Sequence, residues 1–180
     1  MNATRRDLAL LASRLLAVEV DGPLLARLRQ APELLDPAVA ALDDASALEE
    51  LAVEYCRLFI GPQPICPPYA SAHLGGRRLG GRPEREFRAF LDAQALDPHG
   101  PADLQLLGVD HLAVQLAVLA HLHDRLDATA GCESTQEALD ELRTRHLDPW
   151  AADLADVLTA RARVRPYALL GPILRELLAS

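Results

Sequence analysis

The amino-acid sequence predicts an all-α protein, a single-domain helical bundle spanning residues 1–180. Three observations lead there. Half of the residues are hydrophobic but only 4% are aromatic, so Leu, Ala and Val must fill the core, a composition that suits helices better than strands. Helix start and stop signals recur along the whole chain. No segment sustains the apolar–polar alternation of a strand, so helices joined by short connections, with no sheet, are expected.

A first helix is predicted from about Thr4 to Val20, with Leu8, Leu11, Leu15 and Val18 on one face, stopping at Asp21-Gly22-Pro23. Pro23 opens a short helix through Gln30, proline being well suited to a first helical turn, and Asp36-Pro37 repeats that signal before residues 38–42. Ser46-Ala47-Leu48-Glu49 reads as a capping box for a helix carrying Leu48, Leu51, Tyr55, Leu58 and Phe59, which Gly61 is placed to end in a left-handed conformation. Pro62, Pro64, Pro67 and Pro68 forbid a continuing helix and hold the backbone extended as far as Tyr69. Gly75-Gly76 and Gly80-Gly81 read as a loop, Pro83 begins a helix with Phe87, Phe90 and Leu91 facing inward, and a second proline-containing linker covers Asp97 to Pro101. Asp110 is expected to cap a long helix with His111 in its first turn and Leu112, Leu116, Leu119, Leu122 and Leu126 along it, ended by Gly131. Ser134 with Glu137 suggests another capping box, for a helix to about His146. Asp148-Pro149 starts the next, Arg165-Pro166 breaks it, and a last helix runs to about Leu178 with a bend at Gly171-Pro172.

Charge and composition exclude several classes. The net charge is −8 and every basic residue is an arginine. A nucleic-acid partner calls for a basic face, which this balance argues against, whereas an acidic surface admits a basic peptide. The odd set Cys56, Cys66 and Cys132, without a C-x-x-C pair, does not make a disulfide framework and fits a reducing cytoplasm. No second pair completes Cys66 and His73 as a metal site, and His121 and His123, two apart on a helix, point to different sides. Thr4-Arg5-Arg6 superficially looks like an export signal, but Arg14, Glu19 and Asp21 interrupt the stretch after it, so an amphipathic helix is expected instead. No apolar run is long enough to insert stably in a membrane. There is no dinucleotide loop, Walker A sequence, nucleophile elbow or H-E-x-x-H, so no catalytic residue, cofactor or metal is expected.

Two features have the chemistry of recognition. The stiff segment from Pro62 to Tyr69 is either a plain connector or one wall of a groove ending in Tyr69 and Ser71, where rigidity limits the entropy lost on binding. Asp110-His111 is either a helix start and nothing more, or an acid–base pair or an acceptor for a guanidinium. Trp150 reads as core.

Three spaced blocks taken together resemble the molybdoenzyme maturation chaperones TorD, DmsD and NarJ. Glu54-Tyr55-Cys56-Arg57-Leu58-Phe59, with Gly61-Pro62 and Pro67-Pro68-Tyr69-Ala70-Ser71, is similar to that family's E-Y-x-R-L-F … P-P-Y-E-S signature. Asp110-His111-Leu112 is similar to its D-H-L, and His146-Leu147-x-x-Trp150 to its H-L-x-x-W. Ala70 and Gln115 stand where the family often has Glu, and His73 replaces a commonly aromatic position. The resemblance implies a TorD-like all-α fold and a cytoplasmic, non-catalytic chaperone. It would bind the twin-arginine leader or N-terminus of a molybdopterin-containing oxidoreductase and assist cofactor loading before export. By carry-over, Leu58, Phe59, Pro68, Tyr69, Ser71, Asp110 and His111 would line the peptide site.

Within the same family stands an assembly factor of the nitrate-reductase type, whose client need not be exported. Outside it stand a nucleotide-binding or hydrolysing protein using Asp110 and His111, and a helical interaction module in which these residues are structural. A monomer or a domain-swapped dimer is admissible, because the loop at residues 74–81 would permit exchange between chains. The chaperone reading requires Tyr69 and His111 to meet in space.

Overall fold

A computed structural model describes residues 4–75, 79–96, 108–129 and 131–179; the predicted linker from Asp97 to Pro101 and Gly76 lie outside them. The described residues form ten α-helices and no strand, only an isolated bridge between Tyr69 and His111. The helices are α1 (Arg5–Ala17), α2 (Gly22–Arg29), α3 (Pro37–Ala40), α4 (Asp44–Tyr55), α5 (Ala70–Leu74), α6 (Arg82–Ala93), α7 (Leu112–Ala128), α8 (Glu133–Glu141), α9 (Ala151–Arg161) and α10 (Tyr167–Leu178). Two of them run on into wide π turns: α4 through Cys56–Ile60 and α8 through Leu142–Leu147.

The buried apolar residues form one cluster. At its centre is α7, almost wholly apolar in its first half and buried at every residue from Leu112 to Ala120 except Ala117, as befits a helix covered on all sides. The flank facing it is α1, which buries Ala9, Ala12, Leu15 and Leu16. Its alanines let the two backbones approach, and Ser13 Oγ donates to the Ala113 carbonyl at 2.7 Å. Helices α9 and α10 pack on each other so closely that a Cβ on Gly171 would lie 2.7 Å from the Ala155 carbonyl oxygen. Only glycine permits that crossing.

One polar clasp fastens α4 to the linker between α9 and α10. Arg57 Nε and Nη2 each donate to Glu54 at 2.7 Å, the Arg163 amide donates to the same carboxylate at 2.7 Å, and Arg57 also reaches the Arg161 carbonyl at 2.7 Å. Beside it the rings of Tyr55, Phe59 and Tyr167 pack mutually at 5.3–6.1 Å, and the Tyr55 hydroxyl donates to the Leu16 carbonyl. The Glu, Tyr, Arg and Phe of the first sequence block are thus parts of one packed joint.

Several expected helix ends differ. The box expected at Ser46 and Glu49 is replaced by an earlier start: Asp43 is the N-cap, and its carboxylate accepts from the Ser46 amide at 3.1 Å. The same happens at Ser134 and Glu137, where α8 already begins at Glu133 after Cys132. At the first place the upstream Asp43 carboxylate allows the earlier start, and at the second the helix begins two residues sooner without a side-chain cap; the S-x-x-E spacing reveals neither. Gly61 is not left-handed but extended, at φ −60° and ψ 174°. The π turn ends the helix by itself, with the Gly61 amide donating to the Cys56 carbonyl at 2.7 Å. The first helix is shorter than expected, with Thr4 and Asp7 forming a capping box and the chain leaving helix geometry at Val18. The helix expected after Asp148-Pro149 begins at Ala151 and ends at Arg161 rather than near Val164.

Burial acts to raise the Glu54 carboxyl, but the Arg57 bonds and the Arg163 amide outweigh it and hold the group below the ordinary glutamate range. Replacing Glu54 by Ala leaves the Arg163 amide without this acceptor and the part-buried Arg57 guanidinium with only the Arg161 carbonyl, so a loss of about 2 kcal/mol is expected in chemical denaturation. The native clasp is complete above the ordinary glutamate value and is lost as pH falls through the lower folded one. The Glu54→Ala variant should therefore show less acid destabilisation than the native chain.

Candidate functional site

The proline-rich connector is held at both ends by backbone bonds. A π turn leaves carbonyls unused, and two of them, Arg57 and Leu58, accept from the amides of Ile65 and Cys66 at 3.3 and 2.9 Å. Farther on, Leu112 donates to the Pro68 carbonyl at 2.8 Å and Ala70 donates to the Asp110 carbonyl at 3.1 Å. These two bonds make the antiparallel bridge that sets Tyr69 beside His111, with ring centroids 4.6 Å apart and planes nearly perpendicular. The edge-to-face arrangement is the favoured one for aromatic pairs.

The helix start is built differently from the sequence expectation. His111, not Asp110, is the N-cap of α7, and its Nδ1 accepts from the Ala113 amide at 3.1 Å. The Asp110 side chain turns the other way, and its Oδ2 accepts from the Ser71 amide at 2.7 Å at the start of α5. Ser71 Oγ in turn accepts from the Gly80 amide at 3.0 Å. One carboxylate thus starts the helix that comes after the proline connector, not the helix next to it in sequence. Asp110 and His111 are bonded to Ser71 and Ala113, and no hydrogen bond among the described residues joins them as an acid–base pair. An Nδ1 that accepts leaves the proton on Nε2. Burial pushes the His111 imidazole down to about 4, so it is neutral at pH 7.

Of the seven expected site residues, Leu58, Phe59, Ser71, Asp110 and His111 are no more than 3% exposed. Pro68 is also buried, and Tyr69 is half-buried. The structure brings Pro68, Tyr69, Ser71, Asp110 and His111 together. The Phe59 ring packs instead on Tyr55 and Tyr167 in the core. Among the described residues Asp110 Oδ1 has no hydrogen-bond partner.

Next to this knot a cleft of about 260 Å³ opens between α5, α6, α7 and the second π turn. Ala70 and Gln115 belong to its lining, and Arg82, Glu86, Arg145 and His146 line both it and an adjoining hollow of about 430 Å³ that runs along Phe90. Sequence reasoning singled out none of Arg82, Glu86 and Arg145. His146 stands out in the sequence only beside Trp150, whose indole N–H donates to the His146 carbonyl at 2.7 Å. The signal that would have found the wall is the pair of i, i+4 partners Arg82–Glu86 and Glu141–Arg145, which mark exposed helix faces bracketing one space. His73, 5.1 Å from the Trp150 ring, bonds the Pro67 carbonyl through Nε2. Among the described residues no cluster of three His, Cys, Asp or Glu is arranged to hold a metal, and no helix is long and apolar enough to cross a membrane.

The described residues thus make an all-helical protein with a cleft at the start of its central helix. Its fold and sequence are similar to those of known maturation proteins and chaperones. A crystal structure from Archaeoglobus fulgidus, described as a candidate redox enzyme maturation protein, superposes with a TM-score of 0.63 at 20% identity over 99% of this chain and 95% of that one. The chain belongs to the nitrate reductase delta subunit family, whose profile matches residues 22–156. It is 30% identical over 137 residues to the chaperone protein TorD of Vibrio cholerae, covering 73% of this chain and 60% of that one. It is 26% identical over 145 residues to the chaperone protein YcdY of Escherichia coli, covering 81% and 70%. The chain thus spans 60% of the length of that TorD relative.

The His111 imidazole has its ordinary value of 6.5 in the unfolded chain and about 4 in the folded one. Between those values the unfolded state binds more protons, so stability falls as pH drops from about 6.5 to about 4. In His111→Asn part of that slope should disappear from melting temperatures recorded across the interval. Burial also lowers His123 and His146, and they contribute to the remainder together with Glu54, whose carboxyl the fold holds below its ordinary range.

Proposed function

We propose that this chain is a non-enzymatic cytoplasmic chaperone that binds the twin-arginine leader or N-terminus of a molybdopterin-containing oxidoreductase and assists cofactor loading before export. The observation that carries the reading is the joining of Tyr69 to His111 beside an open cleft. A leader has a basic start and then an apolar stretch. Tyr69 offers the apolar stretch a ring edged by imidazole, and the rigid connector behind it loses little entropy on binding. Asp110 has a second oxygen without a hydrogen-bond partner among the described residues. It supplies negative charge behind the rim, where a guanidinium would meet it, and the net charge of −8 draws a basic peptide in. Pro68, Ser71 and His111 act by position, holding the wall, and Leu58 and Phe59 support it from the core.

One observation favours a second client type. The family profile is that of the nitrate reductase delta subunit, which matches an assembly factor whose client stays in the cytoplasm. Identifying the protein that co-purifies with the native chain separates the two, since an exported client has a twin-arginine leader and a retained one does not.

The reading predicts that Tyr69→Ala weakens binding of a synthetic leader by about tenfold or more in calorimetry, the usual loss for a central aromatic, with an unchanged helical circular dichroism signal. Asp110→Asn keeps an oxygen for the Ser71 amide but removes the charge, and should weaken binding in the same direction. Unaltered affinity in both variants removes the site.

A further inference from the structure

The cleft contains a buried polar atom that no other described residue satisfies. Gln115 lies one turn into α7, is 1% exposed and lines the cleft, yet its Oε1 has no hydrogen-bond partner among the described residues. Buried polar atoms are rarely left in that condition. An unsatisfied carboxamide oxygen calls for a hydrogen-bond donor, and the NH2 beside it can serve an acceptor on the same group.

The surroundings select an uncharged one. Of the two arginines on the walls, Arg82 is matched by Glu86 at 2.7 Å and Arg145 by Glu141 at 2.8 Å. His146, lowered by burial, is neutral at pH 7. The lining is therefore electrically balanced although the chain as a whole is strongly acidic. A charged side chain brought against a neutral amide here would lose hydration without gaining a counter-ion. A peptide group loses less and offers the N–H and the carbonyl that a carboxamide can pair with.

We propose that this cleft seats the main chain of an extended, uncharged stretch of the client peptide, with the Gln115 carboxamide pairing to one of its peptide groups. The inference rests on the leader-binding reading above and deepens it. The arginines stay outside, by Tyr69 and Asp110, and the segment next to them enters over Gln115 toward Ala89 and Phe90. Gln115 is then the residue that sets preference for an uncharged segment at that point.

The test is calorimetry of the full chain with a synthetic peptide in which two adjacent arginines precede an uncharged stretch of Ala, Leu and Ser. Gln115→Leu should bind about tenfold or more weakly, the loss expected when a buried hydrogen-bonding partner is removed. Gln115→Glu should also bind more weakly, because it repels the carbonyl and places a charge in the cleft. N-methylation of the peptide amides one at a time should reveal a position that weakens binding to the native chain and not to Gln115→Leu. Without peptide, Gln115→Leu should melt no lower than the native chain, since it removes an unsatisfied acceptor, and Gln115→Met serves if leucine packs poorly. Native affinity in both apolar variants overturns the inference. Tighter binding by Gln115→Glu also overturns it, because a cation then occupies the cleft. A native chain that binds no such peptide at micromolar concentration removes the chaperone reading as well, and is distinguished by failing before any substitution is made.

Discussion

Two backbone hydrogen bonds decide where everything else in the site lies. The pair between Pro68 and Leu112 and between Ala70 and Asp110 joins a connector to the start of the central helix. Without it, residues about forty positions apart in the chain would have no reason to meet. Proline makes the pairing economical: Pro67 and Pro68 already hold φ near its extended value and have no amide to leave unsatisfied. The chain therefore loses little entropy when it docks. The Asp110 carboxylate then adds a third bond from the same point, to Ser71, so that α5 starts only where the bridge has formed.

The two π turns belong to the same construction. Each sits at the C-terminal end of a helix and coincides with one of the recognisable sequence blocks, Cys56–Ile60 with the first and Leu142–Leu147 with the last. An extra residue in a turn frees carbonyls and rotates the chain beyond it. At the first, the freed carbonyls hold the connector. At the second, His146 is turned in against Phe87 and Phe90, with ring centroids 5.1 and 5.2 Å away, while its own carbonyl takes the Trp150 indole proton. Both blocks therefore record backbone geometry as much as surface chemistry, which accounts for the burial of Glu54, Leu58, Phe59 and Trp150.

Much of this was legible in the order of residues. Helical spacing placed the buried faces of α6 and α7, and the prolines placed the extended connector. What could not be read was which of two adjacent polar residues does what. Asp110 before an apolar helix reads as its cap, yet His111 takes that place and Asp110 serves a different helix. Capping rules describe a carboxylate and the amides just after it in sequence, and they are silent about an amide brought in from thirty-nine positions away. Ser46 and Ser134 fail for a local reason, since a cap-like spacing inside a helix is indistinguishable from one at its start. The polar lining of the cleft was illegible for a third reason: Arg82, Glu86 and Arg145 look like any solvated helix face until another element comes opposite.

Buried polar groups gather at the start of α7. Asp110, His111 and Gln115 are three of the few buried polar residues among the described residues, and all lie within the first turns of one helix or just before it. Unpaired amides at a helix start favour negative charge and oppose positive charge. Asp110 is at home there, and a protonated His111 is not. The imidazole gives its lone pair to the Ala113 amide and is thereby held neutral in the role that a serine or aspartate usually fills. A carboxylate at position 115 would add a second negative charge to a buried region that already contains Asp110. With an amide there, a single charge stands at the Tyr69 rim and a neutral floor lies beyond it. A bound chain would then have its cationic and uncharged parts sorted along one direction. Among the described residues Asp110 Oδ1 and Gln115 Oε1 lack hydrogen-bond partners, as do Arg29 Nε and the Tyr167 hydroxyl elsewhere in the fold, and each such group reduces stability. Of these, Gln115 lines the cleft, where an incoming donor could reach it.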